Sequence, residues 1–210
     1  MKVTAVVPLS KTRYRIEIDG ETAFVLYGGE LRRYGVAEGR ELARTDWEEI
    51  MHQVLPRRAK LRCMKLLTAR NYTRAQLIDR LRQGEYPPET VEEAVAYVES
   101  FGYVDDEAYA RSYVEDHIAS RSRRRITEDL RRKGVSAGHI EAALLAVEER
   151  DGMQDEESMI RRLLEKKHFD PQNADRKERQ RIQAFLYRKG FSPEKIRKAL
   201  NAGAWEEDTF

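Results

Sequence analysis

Cysteine occurs once in 210 residues. A lone thiol, Cys63, closes no intramolecular disulfide and builds no thiolate zinc site, so the chain must hold together by packing, and a reducing cytoplasm is the expected compartment. Long apolar runs are missing too. The longest, Ala142 to Val147, has six residues against the roughly 20 that a bilayer requires, and Met1 to Leu9 has no signal-peptide architecture. No membrane partner is expected. The four histidines, His52, His117, His139 and His168, are scattered, and no nucleophile motif, His-x-x-x-His pair, EF-hand or Walker loop occurs. This predicts a protein that is not an enzyme and has neither a metal nor a cofactor of its own. Charge of one sign is not in excess either, with 39 basic against 37 acidic residues. Proline falls only at 8, 56, 87, 88, 171 and 193, which leaves 89–170 free to be helical.

What is abundant is charge of both signs. Charged residues make up 36% of the chain and apolar residues 40%, against about 25% and 45–50% in ordinary soluble proteins, which favours water-facing helices. The first 27 residues differ from the rest. Val3, Ala5, Val7, then Tyr14, Ile16, Ile18, then Ala23, Val25, Tyr27 recur with period two, predicting three strands, with Asp19-Gly20 as the turn between the second and third. Gly28-Gly29 then reads as a strand exit. Thr45 to Glu48 has the spacing of a capping box before an apolar run, and Pro56 should stop or bend the helix that follows.

Three later stretches, Leu77 to Val95, Ile126 to Leu144 and Ile182 to Leu200, superpose without gaps at spacings of 49 and 56 residues. The aligned apolar positions are Leu77/Ile126/Ile182, Leu81/Leu130/Leu186, Tyr86/Val135/Phe191, Val91/Ile140/Ile196 and Val95/Leu144/Leu200. Each i to i+4 pair marks one helix face, and the break between the pairs is a capped turn. Thr73 with Gln76, Ser122, and Asp175 with Glu178 are helix-start signals for the first helix of each pair, and Pro87, Ser136 and Ser192-Pro193 for the second. Upstream of each pair lies one more amphipathic segment, carried by Leu61/Met64/Leu67, Tyr109/Tyr113/Ile118 and Ile160/Leu163/Leu164. The expected fold is therefore mainly α: three tandem three-helix modules in an elongated curved array, preceded by a small β-rich N-terminal segment. The expected boundaries are 1–55 for the β-rich extension and its helix, then 56–103, 104–150 and 151–210 for the modules.

Charge is concentrated in one place. Between Arg121 and Lys133, seven of thirteen residues are cationic, namely Arg121, Arg123, Arg124, Arg125, Arg131, Arg132 and Lys133, against Glu128 and Asp129. Cations at a helix start oppose the helix dipole, at a few tenths of a kcal/mol each (about 0.3–1), so the stripe reads as a surface for phosphates or an acidic protein, although a solvated charged face has the same composition. Arg188-Lys189 repeat the feature in the third module. Asp105-Asp106 reads as helix capping, Cys63 as a small buried hydrophobe, and Tyr109 with Tyr113 as core packing rather than base stacking.

The stretch Phe101-Gly-Tyr-Val-Asp-Asp-Glu-Ala-Tyr-Ala-Arg-Ser-Tyr, continued by Arg-Arg-Ile-Thr-Glu-Asp-Leu-Arg-Arg-Lys-Gly-Val135, resembles the RecX family of recombinase regulators. The likeness runs over about residues 57–202, and the β-rich start resembles the extension of longer family members. The first module departs from it, with Gln83-Gly84-Glu85 in place of the Lys-Gly step of Lys133-Gly134 and Lys189-Gly190. The resemblance implies a non-enzymatic, cytoplasmic protein of DNA repair, homologous recombination and the SOS response. It implies binding in the groove of the RecA filament on single-stranded DNA, with inhibition of ATP hydrolysis, strand exchange and coprotease function. A monomer is expected, with single- or double-stranded DNA as a further partner. The alternative class is a direct DNA-binding protein using its helix-turn-helix-like modules.

Overall fold

A computed structural model describes residues 1–152 and 155–201; residues 153, 154 and 202–210, which belong to the expected fourth segment, lie outside the described residues. The three strands form as the alternation predicts: β1 (Val3–Pro8), β2 (Arg13–Ile18) and β3 (Glu21–Tyr27), in an antiparallel sheet of order β1-β2-β3. Asp19 and Gly20, at φ +52° and +91°, make the tight β2–β3 turn, a conformation in which glycine has no Cβ to clash. In β3, Phe24 and Leu26 pair with Ile16 and Tyr14 of β2 and pack with Ile16 and Ile18 in the core under the sheet, Val25 between them is also buried, and Tyr27 is exposed; the register shift at Ile16/Glu17 leaves Ala23 unpaired.

Gly28-Gly29 ends the strand and opens a helix that period-two reading misses, α1 (Gly28–Arg33). Its first turn is secured by Glu30, whose Oε2 accepts from the Tyr27 backbone N–H at 2.7 Å. The next helix, α2 (Arg44–Glu49), begins one residue before Thr45, with Ala43 as its N-cap and no capping side chain. Nor does Pro56 stop it. The chain widens into a π turn at Ile50–Val54, where the Leu55 N–H reaches the Ile50 carbonyl, and runs on as α3 (Leu55–Leu67). One extra residue in the turn accommodates a ring that lacks an N–H and would otherwise press on the carbonyl four residues back.

The modules are helical throughout, each a triplet. The first comprises α3, α4 (Arg74–Arg82) and α5 (Pro88–Ser100); the second α6 (Asp106–His117), α7 (Arg123–Arg132) and α8 (Ala137–Asp151); the third α9 (Glu156–Lys166), α10 (Arg176–Arg188) and α11 (Pro193–Asn201). Of the fifteen aligned apolar positions all are buried except Tyr86, which is half-buried against the first module's core. Leu81, Leu130 and Leu186 are each 0% exposed, a burial that stabilises by about 2 kcal/mol per side chain. Thr73, Ser122, Ser136 and Asp175 cap as read, their side chains accepting the N–H three residues on. Leu61 is the exception among the upstream segments, at 62% exposed. The buried face of α3 is Leu55, Ala59 and Cys63, with Leu66 and Leu67 at its edge, because small residues at 59 and 63 let α3 lie close against α5.

Among the described residues, apolar side chains gather in four clusters, one under the sheet and one in each module. The chain packs as two compact units, the first being Met1–Asp105, with sheet and first module together, and the second beginning at Asp106 and holding the second and third modules.

Candidate functional site

The basic stripe lies on α7 and its two ends, in the second unit, and its cations divide into two groups. Arg121, Arg125 and Arg132 converge on Asp129, whose side chain is only 7% exposed. Arg121 Nη1 donates to Asp129 Oδ2 at 2.7 Å and to the Tyr113 hydroxyl at 2.8 Å, Arg125 Nη2 lies 3.1 Å from Oδ1, and Arg132 Nη2 donates to the same oxygen. The Tyr113 hydroxyl donates to Oδ2 at 3.3 Å. Burial pushes the Asp129 carboxyl up, but the Arg132 hydrogen bond and the charges of Arg125 and Arg121 outweigh it and hold the group below the ordinary carboxylate range. Arg123 is bound as well, spanning from α7 to Glu141 and Glu148 on α8.

Arg124, Arg131 and Arg188 are exposed, and Lys133 is half-exposed with Nζ 5.4 Å from the Tyr113 ring and 5.6 Å from the Tyr109 ring. Arg125, next to exposed Arg124, is partly buried and in contact with Asp129. Lys189 is half-buried, 5.7 Å from the Phe185 ring; desolvation, with the charges of Arg121, Lys166 and Lys167, pushes its ammonium down. Tyr109 and Tyr113 pack against the module core, as read.

The position of the third module shows why cations are tolerated at the start of α7. The Ser122 backbone N–H donates to the Lys189 carbonyl at 3.0 Å, and Arg124 Nη2 reaches the Gly190 carbonyl at 3.4 Å. These carbonyls close the C-terminal end of α10, the negative end of its dipole, which therefore faces the positive end of α7 and the arginines there. Gly190 makes the approach possible. At φ +93°, a Cβ added there would stand 2.3 Å from Ser122 Oγ and 2.5 Å from Arg125 Cβ. Neither Asp129 nor Gly190 was singled out as a binder of the stripe. The i, i+4 spacing of Arg125 and Asp129 was the available signal for the first; nothing local marks the second as an intermodule contact.

The other candidates have structural surroundings. Cys63 is fully buried, and desolvation raises its thiol to about 11, which leaves it inert as a nucleophile at neutral pH. His117 stacks on Tyr113 at 4.2 Å, and burial together with Arg121 lowers its pKa. Among the described residues no group of three or more His, Cys, Asp or Glu side chains could hold a metal, and no helix is long and apolar enough to cross a membrane.

Family models for the first, second and third three-helix domains of RecX match residues 59–97, 105–144 and 155–200. A protein of Caldanaerobacter subterraneus subsp. tengcongensis named regulatory protein RecX is 33% identical over 203 residues, covering 96% of this chain and 99% of its own. The regulatory protein RecX of Bacillus subtilis is 26% identical over 198 residues, covering 93% of this chain and 74% of its own. Among solved structures, one described as the crystal structure of regulatory protein RecX is 24% identical, with a TM-score of 0.54 over 94% of this chain and 98% of that one. RecX from Lactobacillus salivarius has a TM-score of 0.51 at 19% identity, over 71% of this chain and 96% of that one. With all three helical domains matched in order and a relative aligned end to end, this chain belongs to the RecX family of regulatory proteins.

Proposed function

We propose that this chain is a non-enzymatic, cytoplasmic regulator that binds RecA filaments on single-stranded DNA along their groove and inhibits ATP hydrolysis, strand exchange and coprotease function. What carries the reading is membership of a regulatory family, with its three helical domains all matched in order over residues 59–200. The cations supply its chemistry. Arg124, Arg131 and Arg188 present guanidinium forks to solvent, suited to carboxylates or phosphates, with Lys133 and Lys189 at the turns beside them. In this reading Arg121, Arg123, Arg125 and Arg132 shape the same surface but spend their forks mainly on Asp129, Glu141 and Glu148.

Arg131→Glu combined with Arg188→Glu tests the contact set. Neither residue has an ion-pair partner among the described residues, so helical content by circular dichroism should not change. The half-inhibitory concentration for RecA ATP hydrolysis should rise at least about tenfold, as the loss of charge-assisted hydrogen bonds implies. An unchanged value would remove these residues from the mechanism. A second reading, direct DNA binding, is favoured by the same exposed arginines on helix-turn-helix units. Salt separates the two: phosphate contacts give a log-log slope of about 0.9 per phosphate on duplex and about 0.7 on single strands, whereas filament-selective binding retains affinity beyond that electrostatic part.

A further inference from the structure

The first unit holds a concavity unrelated to the stripe. It lies between the sheet and the first module, has a volume of about 370 Å³, and is lined by Arg13 of β2, Tyr27 at the end of β3, Arg58 and Arg62 of α3, Arg80 of α4 and Tyr86. No acidic residue is among its lining. Two neighbouring carboxylates are already engaged: Glu85 by both Nε and Nη2 of Arg15, at 2.5 and 2.6 Å, and Glu30 by Arg58 Nη1 at 2.9 Å. Arg58 is the rigid element of the wall. Its guanidinium sits over the Tyr27 and Tyr86 rings, at 4.9 and 5.4 Å from their centroids, and its Nη2 donates to the Val25 carbonyl at 2.5 Å. Its Nε is buried with no hydrogen-bond partner, so this guanidinium is a fixed part of the wall and not a donor open to the cavity. Arg13 Nη2 is held near the Gly84 carbonyl at 3.4 Å and Arg80 Nη1 by Gln83 at 3.2 Å, while Arg62 is exposed.

Arg13, Arg62 and Arg80 have no carboxylate partner among the described residues, and three such guanidinium groups around one cavity repel one another unless an anion joins them. A concave site with three forks not taken by carboxylates suits a doubly charged phosphate monoester better than the single charge of an internal phosphodiester. The volume exceeds what inorganic phosphate alone would fill and lies within the range of small-ligand pockets, about 300–1,000 Å³. Tyr27, 40% exposed, supplies a flat aromatic wall on which a planar ring can stack. We propose that this pocket is a binding site for a nucleotide-sized phosphate monoester, with Arg13, Arg62 and Arg80 holding the phosphate, Arg58 fixing the wall behind them and Tyr27 contacting the base. This stands apart from the RecA reading, because none of its residues belongs to the stripe.

Isothermal titration of the full chain with adenosine 5′-monophosphate tests it, alongside adenosine, inorganic phosphate and an oligonucleotide without terminal phosphates. The monophosphate should bind, inorganic phosphate should compete more weakly, and adenosine should not bind detectably. Arg62→Ala with Arg80→Ala, both exposed and outside every core cluster, should weaken the monophosphate at least tenfold, with an unchanged melting temperature as the check on folding. Equal binding of adenosine, wild-type affinity in the double variant, or no monophosphate binding at millimolar concentration would each overturn the proposal. Binding of the oligonucleotide alone would also overturn it, by making the surface a track for phosphodiesters.

Discussion

Asp129 organises the basic stripe. Its carboxylate gathers Arg121, Arg125, Arg132 and the Tyr113 hydroxyl, so removing its charge leaves three guanidinium groups crowded without a counter-ion. Breaking a fully buried pair is destabilising by about 3–5 kcal/mol. Here the arginine side chains are 29%, 33% and 64% exposed, and water screens them, so Asp129→Asn should lower stability by about 2 kcal/mol in urea unfolding at pH 7. The pH dependence follows from the sign of the shift. The folded-state carboxyl is depressed, so its contribution is complete above the unfolded value, near 3.8, and vanishes as pH falls through the lower folded value. The gap between wild type and Asp129→Asn should accordingly close in acid and stay constant from pH 5 to pH 8; a gap unchanged at low pH would show that the carboxylate is not what holds the cluster.

At the scale of elements, the turn between paired helices repeats with a local variation that decides what each turn can touch. In the second and third modules the left-handed residue is a glycine, Gly134 at φ +81° and Gly190 at φ +93°; in the first it is Glu85 at φ +57°, one residue beyond the glycine that sequence reading took for the turn. A side chain in that conformation costs about 1–2 kcal/mol, and the paired contact from Arg15 fixes it. At Gly190 no side chain fits at all. Gly190→Ala adds a collision with Ser122 and Arg125 to the backbone strain and should destabilise the second unit by about 3 kcal/mol. Gly102→Ala, at φ +70° with open space around it, should cost only about 1 kcal/mol. Equal effects in thermal unfolding would contradict a close approach of α10 to α7. The helix pairs and their caps were legible because the spacing of Ile126, Leu130, Ile140 and Leu144 reports one buried face directly. The π turn before Pro56 and the short helix after Tyr27 were not, because each is set by one residue's accommodation rather than by a period.

At the scale of the whole molecule, the three matched domains carry the family assignment, while composition alone carried only a mainly helical, highly charged chain. The stripe was legible as charge but not as function. Sequence order lists seven cations from Arg121 to Lys133 without showing that three turn inward to Asp129 and one to α8, or that α10 presents carbonyls to the start of α7. The first-unit pocket was invisible for a simpler reason, its arginines being spread from residue 13 to residue 80. The central claim, regulation of RecA filaments, is tested most directly by titrating this chain against RecA ATP hydrolysis on single-stranded DNA at two salt concentrations, with a recombinase from the same source. The expected result is inhibition at well below one copy per RecA subunit, persisting at the higher salt; inhibition that only follows DNA coverage and disappears with salt, or none at either concentration, would contradict it.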